Sequence, residues 1–159
     1  MKKSFSLTVL ICGLIVGTAD ITGACISAYI QYGSAPEKVL KYVASGVYGK
    51  EAFAGGTGMA LTGLLFHYMI AYTFTWFFFL LYPNFKWMKF SRILTGIAYG
   101  IFIWLVMTQL VLPRTQVNPS QFIVKKAIIA VLILIVAIGI PLACMAHYYY
   151  SPKNINKDS

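Results

Sequence analysis

Residues 127–146 read "AIIAVLILIVAIGIPLACMA", twenty positions without an Asp, Glu, Lys, Arg or His. At about 1.5 Å per residue such a run, wound as a helix, reaches ~30 Å, the thickness of a bilayer's hydrocarbon core. Residues 93–112, "ILTGIAYGIFIWLVMTQLVL", repeat the feature. Two further runs qualify with one polar interruption each: about Phe5 to Ile30, broken by Asp20, and about Thr57 to Tyr82, broken by His67. The pattern predicts an all-α membrane protein with four transmembrane helices in a compact bundle. The expected spans are about 5–30, 57–82, 93–112 and 127–146, leaving residues 1–159 as a single membrane domain. Composition agrees. The 159 residues are 59 % hydrophobic and 11 % charged, with a mean hydropathy of +0.74, whereas soluble domains carry roughly 25 % charged residues.

Lys2 and Lys3 ahead of an apolar run resemble the start of a signal peptide. The apolar stretch is too long for a signal core and Asp20 breaks it, so the segment is expected to stay as a span. "ITGAC" (21–25) departs from a lipoprotein site because Thr22 stands where an aliphatic residue is wanted. The formal net charge is +9, but the basic residues are scattered through loops and tails. That distribution suits anionic lipid headgroups rather than nucleic acid. Four spans put both termini on one side. With the N-terminus inside, Lys2, Lys3, Lys86, Lys89, Arg92, Lys153 and Lys157 are cytoplasmic, against Lys38, Lys41, Lys50, Arg114, Lys125 and Lys126 outside. The basic cluster "FKWMKFSR" (85–92) and the "MKK" flank favour cytoplasmic termini. Phe85, Trp87, Phe90 and Tyr148 to Tyr150 belong to one aromatic interface.

Between the first two spans, residues 35–49 form an amphipathic segment. Ser34 and Glu37 have capping-box spacing and Pro36 sits in the first turn. Val39, Leu40, Val43 and Val47 share one expected face, Lys38, Lys41, Ser45 and Tyr48 the other. Two readings stay open: an interfacial helix on the membrane surface, or a lid over a cavity, with Lys38, Lys41 and Lys50 on it. Small residues recur four apart at Gly13/Gly17, Ala19/Gly23, Gly56/Ala60 and Gly96/Gly100. Such pairs let helix backbones approach in lipid, within one bundle or between copies. Pro141 is expected to kink the fourth span.

A carboxylate inside a span costs roughly 2.5–3.5 kcal/mol on insertion scales, so it normally faces the bundle interior and has a partner. Asp20 and His67 each lie about ten residues from the outer ends of antiparallel helices, hence at similar depth. They are expected to pair, supported by Gln109, Thr18, Thr22, Thr62 and Thr108. The pair reads either as a buried contact fixing helix register or as a cation or proton site, since histidine titrates near neutrality. Cys12, Cys144 and His147 form a weaker cluster at the opposite face. Three soft ligands on two helices are a thin basis for a metal, so no metal is assigned and the cofactor stays open. No H-E-x-x-H, G-x-S-x-G or C-x-x-C occurs, which speaks against an enzyme.

Four stretches, "GLIVGTADITGACISAYI" (13–30), "PEKVLKYVASGVYGKEAFAGG" (36–56), "GLLFHYMIAYTFTWFFFLLYP" (63–83) and "GIAYGIFIWLVMTQLVLP" (96–113), together resemble a group of small four-span bacterial inner-membrane proteins of unknown function. In that group the positions of Asp20, Lys50 and His67 are motif positions. The resemblance implies a bacterial inner membrane and a four-helix architecture, and brings no activity with it. Two function classes follow. One is small-solute, ion or proton permeation or ligand handling through the Asp–His site, in a homo-oligomer. The other is a non-catalytic accessory or scaffold subunit of a larger membrane complex.

Overall fold

A computed structural model describes residues 4–116 and 123–151; Lys2, Lys3, Lys153 and Lys157 of the charge comparison lie outside the described residues. Four helical rods are long and apolar enough to cross a membrane: Phe5–Tyr32, Thr57–Leu81, Arg92–Arg114 and Val124–Tyr149. They form a compact helical bundle, and no strand occurs among the described residues. The first rod is α1 (Phe5–Tyr32), and the second is α4 (Thr57–Leu81). Between them lie α2 (Pro36–Tyr48) and the single turn α3 (Glu51–Ala54). The third rod begins as α5 (Arg92–Val106), and the fourth is α6 (Val124–Leu134) continued by α7 (Ile140–Tyr149). Phe5 stacks edge-on with both Phe79 and Tyr149, so the start of α1 and the end of α7 share one end of the bundle.

Both later rods change register inside the span. The third widens to a π-turn over Met107–Val111 and tightens to a 3-10 turn over Leu112–Arg114. The fourth takes a π-turn over Ile135–Gly139, directly before Pro141. A proline lacks the N–H for the bond four residues back and crowds that carbonyl. One extra residue in the preceding turn removes both problems, and single π-turns are how helices accommodate such insertions.

Helix approach is set by glycine. At Gly13 a Cβ would overlap the Tyr72 ring, and at Gly17 it would press on the Tyr68 ring and Ala71, so α1 lies flat on α4. Gly96, Gly100 and Gly139 bring α5 and the fourth rod into backbone contact: a Cβ on Gly139 would strike the Gly96 carbonyl oxygen. The recurrent small pairs are therefore spent inside one chain. Gly56, with nothing within reach of an added Cβ, and Ala19, exposed on α1, are exceptions.

α2 differs from expectation in two respects. Its N-cap is Ala35, with no side-chain cap. Ser34 instead lends its N–H to Ala28 O (3.4 Å) where α1 closes at Gly33, whose φ of 61° suits a glycine. Glu37 turns to Lys41, 2.8 Å away, rather than back to a cap. The buried face is also rotated. Ala44 and Ser45 are covered while Val47 is exposed, and the Ser45 hydroxyl is satisfied by Tyr42 O at 2.7 Å. The cause is contact with α4. Any Cβ on Gly63 would overlap the Leu40 carbonyl oxygen, so small residues must face the helix. Val47 then points outward and is exposed.

The core gathers at the end shared by the start of α1 and the end of α7, around Val16, Phe78, Phe79, Tyr82 and Leu142. Hydroxyls tie the rods there. Tyr99 donates to Phe74 O at 2.6 Å, and Tyr150 donates to Phe79 O at 2.9 Å.

Gly63→Ala and Gly139→Ala each meet backbone rather than a yielding side chain. Each is expected to lower stability by about 1–3 kcal/mol, the usual cost of overpacking. Gly58→Ala meets nothing and should be neutral or stabilise by up to about 1 kcal/mol through helix propensity. Thermal unfolding in detergent, followed by circular dichroism, separates the cases. Equal midpoints for all three variants would refute glycine-limited packing.

Candidate functional site

The α1–α4 seam positions the intramembrane polar groups. Gly17 has no side chain, so α4 comes close enough for His67 Nε2 to reach Gly17 O at 2.9 Å. A carbonyl oxygen only accepts, so Nε2 carries the hydrogen. That leaves Nδ1 as the ring position at which a proton can arrive or depart. One turn further along α1 stands Asp20, partly buried, its carboxylate near enough to attract the His67 imidazole. Among the described residues Asp20 makes no hydrogen bond and no ion pair; the ion pair found there joins Lys41 to Glu37. Asp20 and His67 are thus linked by electrostatics and by no hydrogen bond, while the histidine is anchored through Nε2.

Tyr68 and Tyr72 frame the seam. The Thr18 hydroxyl donates to Leu14 O (2.7 Å) and shares a 2.7 Å hydrogen bond with the Tyr68 hydroxyl. The His67 and Tyr68 rings meet edge-on at 5.7 Å. Sequence reasoning missed these tyrosines and the Gly17 carbonyl. One signal was present: Tyr68 and Tyr72 are four apart, as are Gly13 and Gly17, and each ring fills the notch left by one glycine. A backbone carbonyl as the histidine's partner has no sequence signature.

The other expected supporters go elsewhere. Thr62 donates to Gly58 O (3.0 Å) and Thr108 to Trp104 O (2.8 Å), each closing on its own helix. Thr22 is exposed on the flank of α1 and Gln109 is exposed on the π-turn of the third rod. Neither has a hydrogen-bond partner among the described residues. Thr22 lines a shallow open groove on the α1 flank with Leu14, Ile15, Thr18, Ala19 and Ile26.

α2 covers the seam from the end opposite the start of α1. Gly63, which receives Leu40 and Ala44 of α2, lies one turn before His67 on the same face of α4. α2 is also held from the third rod, since Gln116 donates its N–H to Gly46 O at 2.9 Å. At Gly49 the φ of 58° permits the turn into α3. Lys38 and Lys50 are exposed on this cover and Lys41 is engaged by Glu37.

At the opposite end Cys12 is buried, Cys144 is exposed, and His147 Nδ1 shares a 3.1 Å hydrogen bond with the Tyr82 hydroxyl. Among the described residues no three His, Cys, Asp or Glu side chains are placed to hold a metal ion. His147 is instead part of the tyrosine network that closes the core. Comparison with known proteins finds no matching family model, no matching curated protein and no matching solved structure.

Proposed function

We propose that this integral membrane protein handles protons through Asp20 and His67, in a bacterial inner membrane as the resemblance of its four stretches implies. One observation carries the reading. His67 gives its Nε2–H to the Gly17 carbonyl and so presents Nδ1 as the site of exchange, with the Asp20 carboxylate within electrostatic reach. In this reading a proton resides on the carboxylate or on the imidazole and passes between them. Burial in a low-dielectric seam strengthens their mutual influence, and ionisable groups within spans commonly mark proton paths. α2 serves here as the cover that separates the seam from the outer solution, its hold on Gly63 and Gln116 setting when the site is reached. A homo-oligomer belongs to this reading, because a single bundle of four rods offers no wide channel.

The second reading is an accessory subunit of a larger membrane complex. The open groove along Leu14, Thr18, Thr22 and Ile26 favours it. The glycine pairs do not, because they are occupied within the bundle.

Two variants separate the structural and the chemical roles of the histidine. His67→Gln keeps an N–H aimed at Gly17 O, so its thermal midpoint should stay near that of the parent. His67→Leu loses the bond, at about 1 kcal/mol for an interhelical hydrogen bond in a membrane. Both should abolish proton movement into proteoliposomes loaded with a pH-sensitive dye. Asp20→Asn should slow it on the order of tenfold, a barrier change of about 1.4 kcal/mol. Unaltered proton flux in Asp20→Asn and His67→Gln, with folding intact, would dismiss the proton reading and leave the accessory one.

A further inference from the structure

The turn between α4 and α5 is built unlike the other connections among the described residues. Residues 83–92 read "PNFKWMKFSR", with Lys86, Lys89 and Arg92 and no acidic residue; the chain has none between Glu51 and Asp158. The 3-10 turn Lys86–Lys89 is fixed from below. Met88 is buried in the core, and its carbonyl accepts from Thr95 Oγ1 at 3.0 Å. Lys89 Nζ donates to Pro83 O at 3.1 Å, and Asn84 Nδ2 to Leu80 O at 2.9 Å. The Phe85 and Trp87 rings meet edge-on at 6.4 Å. This firmly held turn nevertheless points its largest rings outward, with Phe85 45 %, Trp87 56 % and Phe90 92 % exposed.

Exposed aromatic rings interleaved with uncompensated cations, on a turn held against the core, suit neither water nor hydrocarbon alone. They suit the layer between the two, where ring bodies enter the acyl boundary and cations meet phosphate. The turn joins the ends of two apolar rods, so it lies where the hydrocarbon ends. We propose that residues 85–92 form a docking surface for the anionic headgroups of one bilayer leaflet, with Lys86, Lys89 and Arg92 facing lipid phosphates and Phe85, Trp87 and Phe90 seated between the lipids. Charge complementarity selects the occupant: a surface with three cations and no anion attracts an anionic leaflet over a zwitterionic one. The surface also orients the chain. The start of α1 and the end of α7 lie at this same end, because Tyr82, at the end of α4, stacks on Tyr150, and Phe5 packs against Phe79 and Tyr149. The start of α1 and the end of α7 therefore lie on the side of the leaflet richer in anionic lipid. The inference rests on membrane insertion and is independent of Asp20 and His67.

The test uses the full chain carrying Trp76→Phe and Trp104→Phe, which leaves Trp87 as the one tryptophan. It is reconstituted in vesicles of phosphatidylcholine mixed equally with phosphatidylglycerol, with bromine on the acyl chains of one lipid or the other. Attraction at the surface enriches anionic lipid by roughly fivefold for each basic residue engaged. Brominated phosphatidylglycerol should therefore quench Trp87 several-fold more than brominated phosphatidylcholine. Lys86→Gln, Lys89→Gln and Arg92→Gln combined should erase the difference, while Lys38→Gln with Lys50→Gln at the other end should preserve it. Inorganic phosphate added at constant ionic strength should leave the preference standing. Equal quenching by the two lipids in the parent would overturn the proposal, and that comparison decides alone if the triple variant fails to fold. Preference surviving the triple variant, or abolished by free phosphate, would overturn it too.

Discussion

Helices in lipid gain nothing from hiding apolar surface, because the surrounding acyl chains are as apolar as leucine. What holds them is contact at close range, and here close range means backbone against backbone or against a ring. Gly139 meets the Gly96 carbonyl, Gly63 meets Leu40 of α2, and Gly13 and Gly17 receive Tyr72 and Tyr68. The rest of the structure follows from these approaches. His67 reaches a main-chain oxygen on α1 only because Gly17 leaves the space. α2 folds onto α4 instead of lying free because Gly63 lets a helix backbone settle there. Even the rotated face of α2 is a consequence, since a contact this tight accepts Ala44 and Ser45 but not Val47.

The four rods were legible because the bilayer imposes its thickness on the chain: a row of about twenty apolar residues matches the hydrocarbon core and little else. Depth matching of Asp20 and His67 was legible for the same reason, as counting from the ends of antiparallel helices is a measurement in ångströms. The supporting cast was not. Sequence reasoning assigned Thr62 and Thr108 to the site because they fall at the right depth. Their hydroxyls are satisfied by carbonyls one turn back on their own helices, an option open to any threonine in a helix. Gln109 has the right height and the wrong direction, exposed on the π-turn Met107–Val111 of the third rod. No periodicity argument foresees a π-turn, since the extra residue changes the angle of everything after it.

The amphipathic segment shows where a rule made for water misleads. Sorting residues 35–49 by polarity placed Ser45 outside and Val47 inside. In this bundle size decides what faces the neighbour, because the tightest contact is made by main-chain atoms. Ser45 can be covered because its hydroxyl returns to Tyr42 O. Val47 is left exposed because the contact with α4 takes the small residues instead. The same inversion accounts for the two outcomes that the glycine pairs left open at the level of sequence. Spacing states that a close approach exists, and the identity of the partner helix is a property of the fold.

Many polar side chains on the spanning rods are satisfied locally. Thr18, Thr62, Thr73, Thr75 and Thr108 donate to carbonyls of their own helices, while Tyr99 and Tyr150 donate to carbonyls of α4. This is what a membrane interior demands of structural polar groups. Thr22 and Gln109 are exposed without a partner and the Thr8 hydroxyl is buried without one; among these departures the one ionisable side chain is that of Asp20. It has no hydrogen bond among the described residues and is linked to His67 by electrostatics. A register-fixing role would be served better by a residue that closes on a donor, as His67 itself closes on an acceptor through Nε2. A carboxylate inside a span that closes on no donor and lies within electrostatic influence of an anchored imidazole contributes little to packing, and that contrast with its neighbours makes the seam the place to look for chemistry.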